Sequence, residues 1–482
     1  MEGIEDGDTH AAWPMLLARC SSFSSPVVRS PATLAADMAD SKLCCLGWWL
    51  GLGFVLATAG TMRAAPASVD YVIQISVDGL SALLFQPQRV ATPERYPNFD
   101  RLRREGASTF NARCDYFESV TVPNHVSMIT GRPVLQPDGK PPTVHHGCTF
   151  NSSMPGLTIH NQGNSNLSYI ASVFDVVHDH GRTTALYVGK SKLAILGTSY
   201  DAVNGAADKV GDDNGRNKVD IMLVTEGDSA ALLDDLVGQL TNAPPHYTFL
   251  HLGEPDAAGH AYGWGSDAWF QALAAVDGHL GRLLNAITAS ATLSNHTVII
   301  LTADHGGSPD WGHGLPYEPL DYTIPFFVWG PGWTAGADLY DLLSSNRGDP
   351  SGSYVDYNAI PQPLHNGDAP NLALSVLGLP AIPGSFMLPQ VAPPLPRLAI
   401  RRRDGDWELA WPRELTNVVL LSRRSLNPNE LWEIIPGDFQ NVGGETVFRL
   451  VGAASDLHPR FFKLQWSSAI QSQRAETSKA RR

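Results

Sequence analysis

Asp256 and His260 stand four residues apart in Glu254-Pro255-Asp256-Ala257-Ala258-Gly259-His260, a spacing that puts both side chains on one face of a helical turn. A carboxylate and an imidazole converging in this way suit Zn2+ or another borderline cation. The plainer reading is an exposed Asp–His pair. Asp304 and His305 are adjacent in Thr302-Ala303-Asp304-His305-Gly306-Gly307. Neighbouring side chains reach one ion only where the backbone turns sharply, which the glycines permit. His313-Gly314 follows eight residues after His305. Asp78-Gly79 closes an apolar run and, alone, reads as a turn. Thr121 opens Thr121-Val122-Pro123-Asn124-His125. Its bland reading is the N-cap of a helix over 124–129, with the proline early in the first turn. The same geometry exposes the hydroxyl at the positive end of a helix dipole, where an anion settles. A hydroxyl is a poor nucleophile until a metal or a base lowers its pKa. Six ligand-type residues and one hydroxyl, all at strand–loop transitions, point to a two-metal hydrolase.

Something must hold these residues at one place. Apolar runs at Tyr71–Val77, Thr184–Val188, Tyr247–Leu252, 297–301 and 324–329 predict buried strands. Stretches at 98–105, 167–180, 266–287 and 369–377 predict helices between them. The alternation predicts an α/β fold with a mostly parallel sheet sandwiched by helices, and such sheets gather their chemistry beyond the carboxyl ends of the strands. A proline-rich joint, Leu388-Pro389-Gln390-Val391-Ala392-Pro393-Pro394-Leu395-Pro396, ends this unit. Five short apolar pieces follow, at 407–411, 417–422, 431–435, 446–451 and 460–464. They predict a small all-β unit over 397–466 with no converging His or carboxylate set, hence packing or interaction in place of chemistry. The polar tail 467–482 is expected to be disordered.

Length and charge narrow the class. At 482 residues and 43% hydrophobic, the chain has enough apolar material for two or three domains. Residues 66–396 carry 16 basic and 32 acidic groups, a net −16, while 397–482 carry 14 and 10, a net +4. The overall −14 excludes a general nucleic-acid binder. Near the start, Leu43 to Ala59 is seventeen residues without a charge, with Lys42 before it and small residues after Arg63. That is the layout of a secretory signal peptide over 38–65, with a membrane anchor as the alternative. Residues 1–37 read as an over-extended start, and the expected location is periplasmic, extracellular or cell-surface. After removal of 1–65 only Cys114 and Cys148 remain, as one disulfide or as two buried thiols.

The order and spacing of the motifs resemble the type I phosphodiesterases and nucleotide pyrophosphatases of the alkaline phosphatase superfamily. The carriers are Val77-Asp78-Gly79, Thr121-Val122-Pro123-Asn124-His125, Glu254 to Gly263, and Asp304-His305-Gly306-Gly307. His313-Gly314 fits through its distance to Gly330-Pro331. The resemblance covers roughly residues 69–385 and omits the C-terminal unit. It implies one zinc held by Asp256, His260 and His313, and a second held by Asp78, Asp304 and His305. Mn2+ or iron would also suit such Asp/His ligands. It implies Thr121 as the metal-bound nucleophile, a covalent phosphothreonine, and Asn151 on a phosphoryl oxygen together with backbone N–H groups near Thr121. The implied substrate is a small phosphoryl ester, a nucleotide-type diester or pyrophosphate. His365 competes with His313 as third ligand of the first zinc and ranks below it. Asn124 and His125 are expected to shape the nucleophile turn, and His145, His146 and His251 to be structural.

Two departures bear on substrate. Gly307 stands where the family often has a hydrophobic residue, and the stretch from His305 to His313 lacks the long insertion that many members carry. A sulfatase would need Cys or Ser and Arg where this chain has Thr121-Val122-Pro123-Asn124-His125. A phosphonoacetate-type hydrolase or a phosphomonoesterase on the same scaffold is the runner-up. From another class, a catalytically silent, metal-stabilised surface-binding protein is the alternative.

Overall fold

The computed structural model describes residues 69–389 apart from 153–154, 311 and 345. Beyond the joint it describes 398–403, 406–412, 418–423, 433–435, 439–442, 445–450 and 461–466. The expected start 1–37, signal peptide 38–65, linker 391–396 and tail 467–482 lie outside the described residues.

Eight strands form the central sheet: β1 (Tyr71–Val77), β2 (Ala107–Arg113), β3 (Thr184–Val188), β4 (Ile221–Val224), β5 (Tyr247–Leu252), β6 (Thr297–Thr302), β7 (Thr323–Trp329) and β8 (Ala337–Asp338). Their order is β4-β3-β5-β1-β6-β7-β2-β8, and every pairing is parallel except the two made by β7. β1 lies between β5 and β6. These inner strands are buried on both faces, so they read as mainly hydrophobic runs, with Gln74, Ser76, Thr248 and His251 among the buried polar exceptions. β2 (ASTFNAR) carries no such run and the half-exposed edge strand β4 (IMLV) only a four-residue one, and neither was expected from the sequence.

Caps decide where the helices begin. The helix Asp267–Ala289 starts after Ser266, whose side chain accepts from the Trp269 N–H. The helix Pro97–Glu105 is anchored by Asp277, whose carboxylate accepts the N–H groups of Asn98 and Phe99. The helix expected over 167–180 runs only from Val173 to Asp179, because Ser172 and Asp175 form a capping box that fixes its first turn there.

The C-terminal pieces form two antiparallel sheets. One has four strands: β9 (Ala399–Arg403), β10 (Asp406–Pro412), β13 (Gln440–Val442) and β14 (Glu445–Leu450). The other has three: β11 (Val418–Arg423), β12 (Glu433–Ile434) and β15 (Phe461–Trp466). Leu409, Trp411 and Leu420 form their buried centre, with Phe448 and Phe462 packed against it. Cys114 and Cys148 are both buried free thiols, which decides against a disulfide between them. Among the described residues no helix is long and apolar enough to cross a membrane.

Candidate functional site

β5, β1 and β6 are neighbours, and each ends in ligand-type residues. Asp78 follows β1, Asp256 and His260 lie on the helix Glu254–Tyr262 after β5, and Asp304 and His305 follow β6. Three consecutive parallel strands thus deliver their loops to one edge. Gly79 lets them close up. It adopts φ +74°, and a Cβ there would stand 2.9 Å from the Asp256 Cα, so no side chain fits.

Thr121 is the first residue of the helix Thr121–Thr130, whose N-cap is Val120. It is therefore not the N-cap that its sequence context suggests. Its hydroxyl is not spent on capping and faces His305 Nε2 at 3.4 Å.

The hydrogen bonds identify which imidazole nitrogens are bare. His305 Nδ1 donates to the Gly306 carbonyl at 2.8 Å, so its Nε2 carries a lone pair. His313 Nδ1 donates to the Ser119 carbonyl at 3.0 Å, with the same result. His313 Nε2 lies 3.2 Å from His260 Nε2 and 3.6 Å from Asp256 Oδ1. His305 Nε2 lies 3.4 Å from Asp78 Oδ1, 3.3 Å from Asp304 Oδ2 and 4.0 Å from Asp256 Oδ1. Burial holds the imidazole of His305 down to about 4, and burial with the neighbouring His305 holds His313 down to about 3. Both are neutral at neutral pH, the form that ligates a metal.

Asp78 Oδ1, Asp256 Oδ1 and Asp304 Oδ2 are buried without a hydrogen-bond partner. Orphaned carboxylate oxygens facing bare imidazole nitrogens are costly unless a cation joins them. Two such clusters meet, one of Asp256, His260 and His313 and one of Asp78, Asp256 and His305. The residues present therefore fit two divalent ions. Asp256 faces both clusters, whereas the sequence reading gave it to the first alone, and Asp304 Oδ2 borders the second through His305.

His365 stays outside both clusters. It stacks on Tyr357 with ring centroids 5.2 Å apart, and its Nε2 pairs with Gln362 Oε1 at 3.3 Å. His251, read from sequence as structural, instead serves the site. Its Nδ1 accepts the Gly189 N–H at 3.1 Å, so Nε2–H donates to Asp78 Oδ2 at 2.9 Å and orients that carboxylate.

Two lysines also reach the site, and neither was singled out in the sequence. Lys190 donates to Asp78 Oδ2 at 2.7 Å and to Asp256 Oδ2. Burial alone would raise the Asp78 carboxyl, but Lys190 and the His251 hydrogen bond hold it well below the usual range. Asp304, buried beside Asp78, is pushed well above its range. Lys192 donates to Asn151 Oδ1 at 3.1 Å. That same oxygen accepts the Val122 N–H at 3.1 Å, so this helix N–H is occupied and is not an open donor for an anion. The sequence signal for the lysines was their place, directly after β3 at the same sheet edge.

Trp264 accounts for the unusual Gly307. The buried indole donates to the Gly79 carbonyl at 2.9 Å and lies against Gly259 and Gly307, where a Cβ would stand 2.5 and 2.2 Å from ring atoms. Its ring packs behind His260 and His313 at centroid distances of 5.2 and 5.7 Å. Tryptophan occupies the volume that a larger residue at 307 would need.

A family model for type I phosphodiesterase / nucleotide pyrophosphatase matches residues 72–310. The chain is 29% identical over 239 residues to ectonucleotide pyrophosphatase/phosphodiesterase family member 3 of Mus musculus, covering 49% of this chain and 24% of that protein. It is 32% identical over 84 residues to GPI ethanolamine phosphate transferase 1 of Yarrowia lipolytica, covering 17% of this chain and 9% of that protein. The aligned part thus spans at most 24% of the length of these two relatives. Among solved structures, murine ectonucleotide pyrophosphatase / phosphodiesterase 5 is 15% identical, with 65% of this chain and 96% of that chain covered and a TM-score of 0.45.

Proposed function

Since this chain belongs to the type I phosphodiesterase/nucleotide pyrophosphatase family, we propose that it is an exported two-metal hydrolase of phosphodiester or pyrophosphate bonds, working through a covalent phosphothreonine. One observation carries the reading. The Thr121 hydroxyl adjoins two clusters of imidazole nitrogens and orphaned carboxylate oxygens at one sheet edge, buried except for the half-buried His313 and for His260, which opens to solvent. Asp256, His260 and His313 would hold one ion, and Asp78, His305 and Asp304 the other, with zinc the best match to these donors. Bound there, the two ions would supply Lewis acidity, lowering the pKa of the Thr121 hydroxyl and offsetting charge on the phosphoryl oxygens.

The protein's own groups do the rest. Thr121 Oγ forms a bond to phosphorus as the bond to the leaving oxygen breaks, and the leaving alcohol takes up a proton. Water then attacks the phosphothreonine, releasing the phosphoryl product and returning a proton to Thr121. Asn151, beside the first turn of the Thr121 helix, orients a phosphoryl oxygen. His251 keeps Asp78 in register throughout.

A second reading has its own support. Lys190 and Lys192 bring two ammonium groups to the same edge, one on Asp78 and Asp256 and one on Asn151. They favour a substrate with a further anionic group next to the phosphoryl centre, as in a phosphonoacetate-type hydrolysis.

The test uses the full chain loaded with zinc, a nitrophenyl phosphodiester, the matching monoester and phosphonoacetate. Faster diester cleavage, lost in Thr121→Ala, supports the first reading. Phosphonoacetate turnover that falls in Lys192→Ala supports the second. Bound metal without turnover of any of the three leaves a silent surface-binding protein.

A further inference from the structure

Asp78, Asp304 and His305 directly follow strands, and Asp256 and His260 lie on a helix, whereas His313 sits in a loop. Glycines flank it, Gly312 at φ +77° and Gly314 at φ +91°, both in the left-handed region that glycine enters freely. The local backbone therefore does little to fix the imidazole. No residue from His313 to Glu318 is fully buried, so apolar packing does not hold this loop either. Its ring rests on His305, with 3.8 Å between centroids, but a ring contact does not fix the chain that carries it.

Polar attachments take that role. Behind His313, Ser308 and Gly312 exchange N–H···O=C bonds of 2.6 and 3.1 Å. Ahead of it, the Leu315 N–H donates to Asp321 Oδ2 at 3.0 Å. Asp321 lies on the short helix Pro319–Tyr322 and is 0% exposed, and its Oδ1 has no hydrogen-bond partner. Burial pushes its carboxyl up to about 7, with Glu318 adding to the rise, against the pull of the Leu315 and Gly314 N–H groups and Ser119. No cation is among the groups that act on it. A carboxylate buried in this way is costly, and the chemistry at Thr121 does not use it.

The main chain of the same helix serves a different turn. The Asp321 carbonyl accepts the Gly306 N–H at 2.6 Å, and the Leu320 carbonyl accepts the Gly307 N–H at 3.0 Å. These bonds hold the turn that follows Asp304 and His305. One residue thus braces two ligand loops, through its backbone on the His305 side and through its side chain on the His313 side.

Resting on the two-metal reading above, we propose that Asp321 is a positioning residue for the ion of Asp256, His260 and His313. Its carboxylate pins the glycine-flanked loop ahead of His313, so that Nε2 stays aimed at Asp256 and His260. Changing the side chain leaves the Gly306 bond in place, so the effect should fall on one ion and spare the other.

The experiment measures zinc binding to the full chain by competition with a chelator, beginning with the parent, which should bind two ions. Asp321→Asn keeps the size of the side chain and one acceptor oxygen. It should weaken one zinc site about 10- to 100-fold and leave the second unchanged. His313→Ala should weaken the same site, and the combined variant should lose no more than His313→Ala alone. Leu315→Pro removes the donor of the same bond from the exposed side, without touching the buried carboxylate, and should weaken that site as well. Parent-like zinc binding in Asp321→Asn or in Leu315→Pro overturns the proposal. Equal weakening of both sites, or losses that add in the combined variant, overturns it too, because Asp321 would then act only through general stability. A parent that binds fewer than two zinc ions overturns the two-metal reading itself, and this inference with it.

Discussion

At the carboxyl edge of β1, β5 and β6, three buried aspartates carry oxygens without hydrogen-bond partners. Around Leu409, Trp411 and Leu420 the interior is apolar, and the buried Glu408 is held by Arg401 at 2.7 Å. The first region keeps an arrangement that costs folding free energy, since orphaned buried carboxylates are among the least tolerated groups in a protein interior. It survives because the strands beneath it are fully packed and impose the geometry. The second region holds no comparable cluster among its described residues. Several partnerless carboxylate oxygens facing imidazoles inside an otherwise complete core mark where a ligand is expected, whereas Glu408, whose Oε2 also lacks a hydrogen bond, is flanked by the cations Arg401 and Arg449.

The contrast breaks most sharply at Thr121. Thr121→Ala removes one hydroxyl from a buried helix start and is expected to lower kcat at least about 10³-fold. An unchanged thermal midpoint would show that the loss is chemical, whereas activity near that of the parent would end the nucleophile assignment. One step behind the ligands, His251→Ala removes the group that orients Asp78. Metal affinity should fall about 10- to 100-fold, read by competition with a chelator.

Paired core substitutions sharpen the same comparison. Gly307→Ala presses a methyl against Trp264, and overpacking of this kind costs about 1–3 kcal/mol. Because that indole backs His260 and His313, turnover should fall with stability. Leu409→Ala should cost about 2–4 kcal/mol within the C-terminal sandwich and leave turnover unchanged. Equal activity losses in the two variants would mean that the regions are not functionally distinct.

The smallest effect concerns acid. His146 is held down to about 3 by burial and then by His145 and Arg132, and it bonds Ser127 Oγ and the Cys148 N–H. Its folded pKa lies below the unfolded value of 6.5, so between pH 6.5 and 3 the unfolded chain binds the extra proton. This contribution is complete above 6.5 and is lost as pH falls, by up to about 1.4 kcal/mol per pH unit. Urea unfolding at pH 7 and pH 4.5 should show a smaller acid loss in His146→Gln than in the parent.

Legibility followed how locally each feature is encoded. β1, β3 and β5 lie where their mainly apolar runs begin and end, because a strand buried on both faces stays mostly apolar even with Gln74, Ser76, Thr248 and His251 in it. β2 was hidden by Ser108, Thr109 and Asn111, whose surroundings are set by β7 and β8 across the sheet. The ligand-type residues were readable from spacing, since Asp256 and His260 share a helical turn and Asp304 and His305 close one strand. Lys190 and Lys192 were not singled out: their place just after β3 was the one signal, and only the pairing of β3 with β5 brings that strand end beside Asp78 and Asp256.

By itself the sequence determined the class of fold, the strand ends that carry carboxylates and imidazoles, and the hydroxyl at a helix start. Those follow from periodicity and residue chemistry within a few neighbours. Only the tertiary structure decided which imidazole nitrogens are bare, that Asp256 faces both clusters, that His251 braces Asp78 while His365 stays apart, and that Trp264 claims the space at Gly307. Each of these depends on contacts between segments tens to hundreds of residues apart, where the direction of a hydrogen bond or the volume of one ring is settled by the strand order of the sheet.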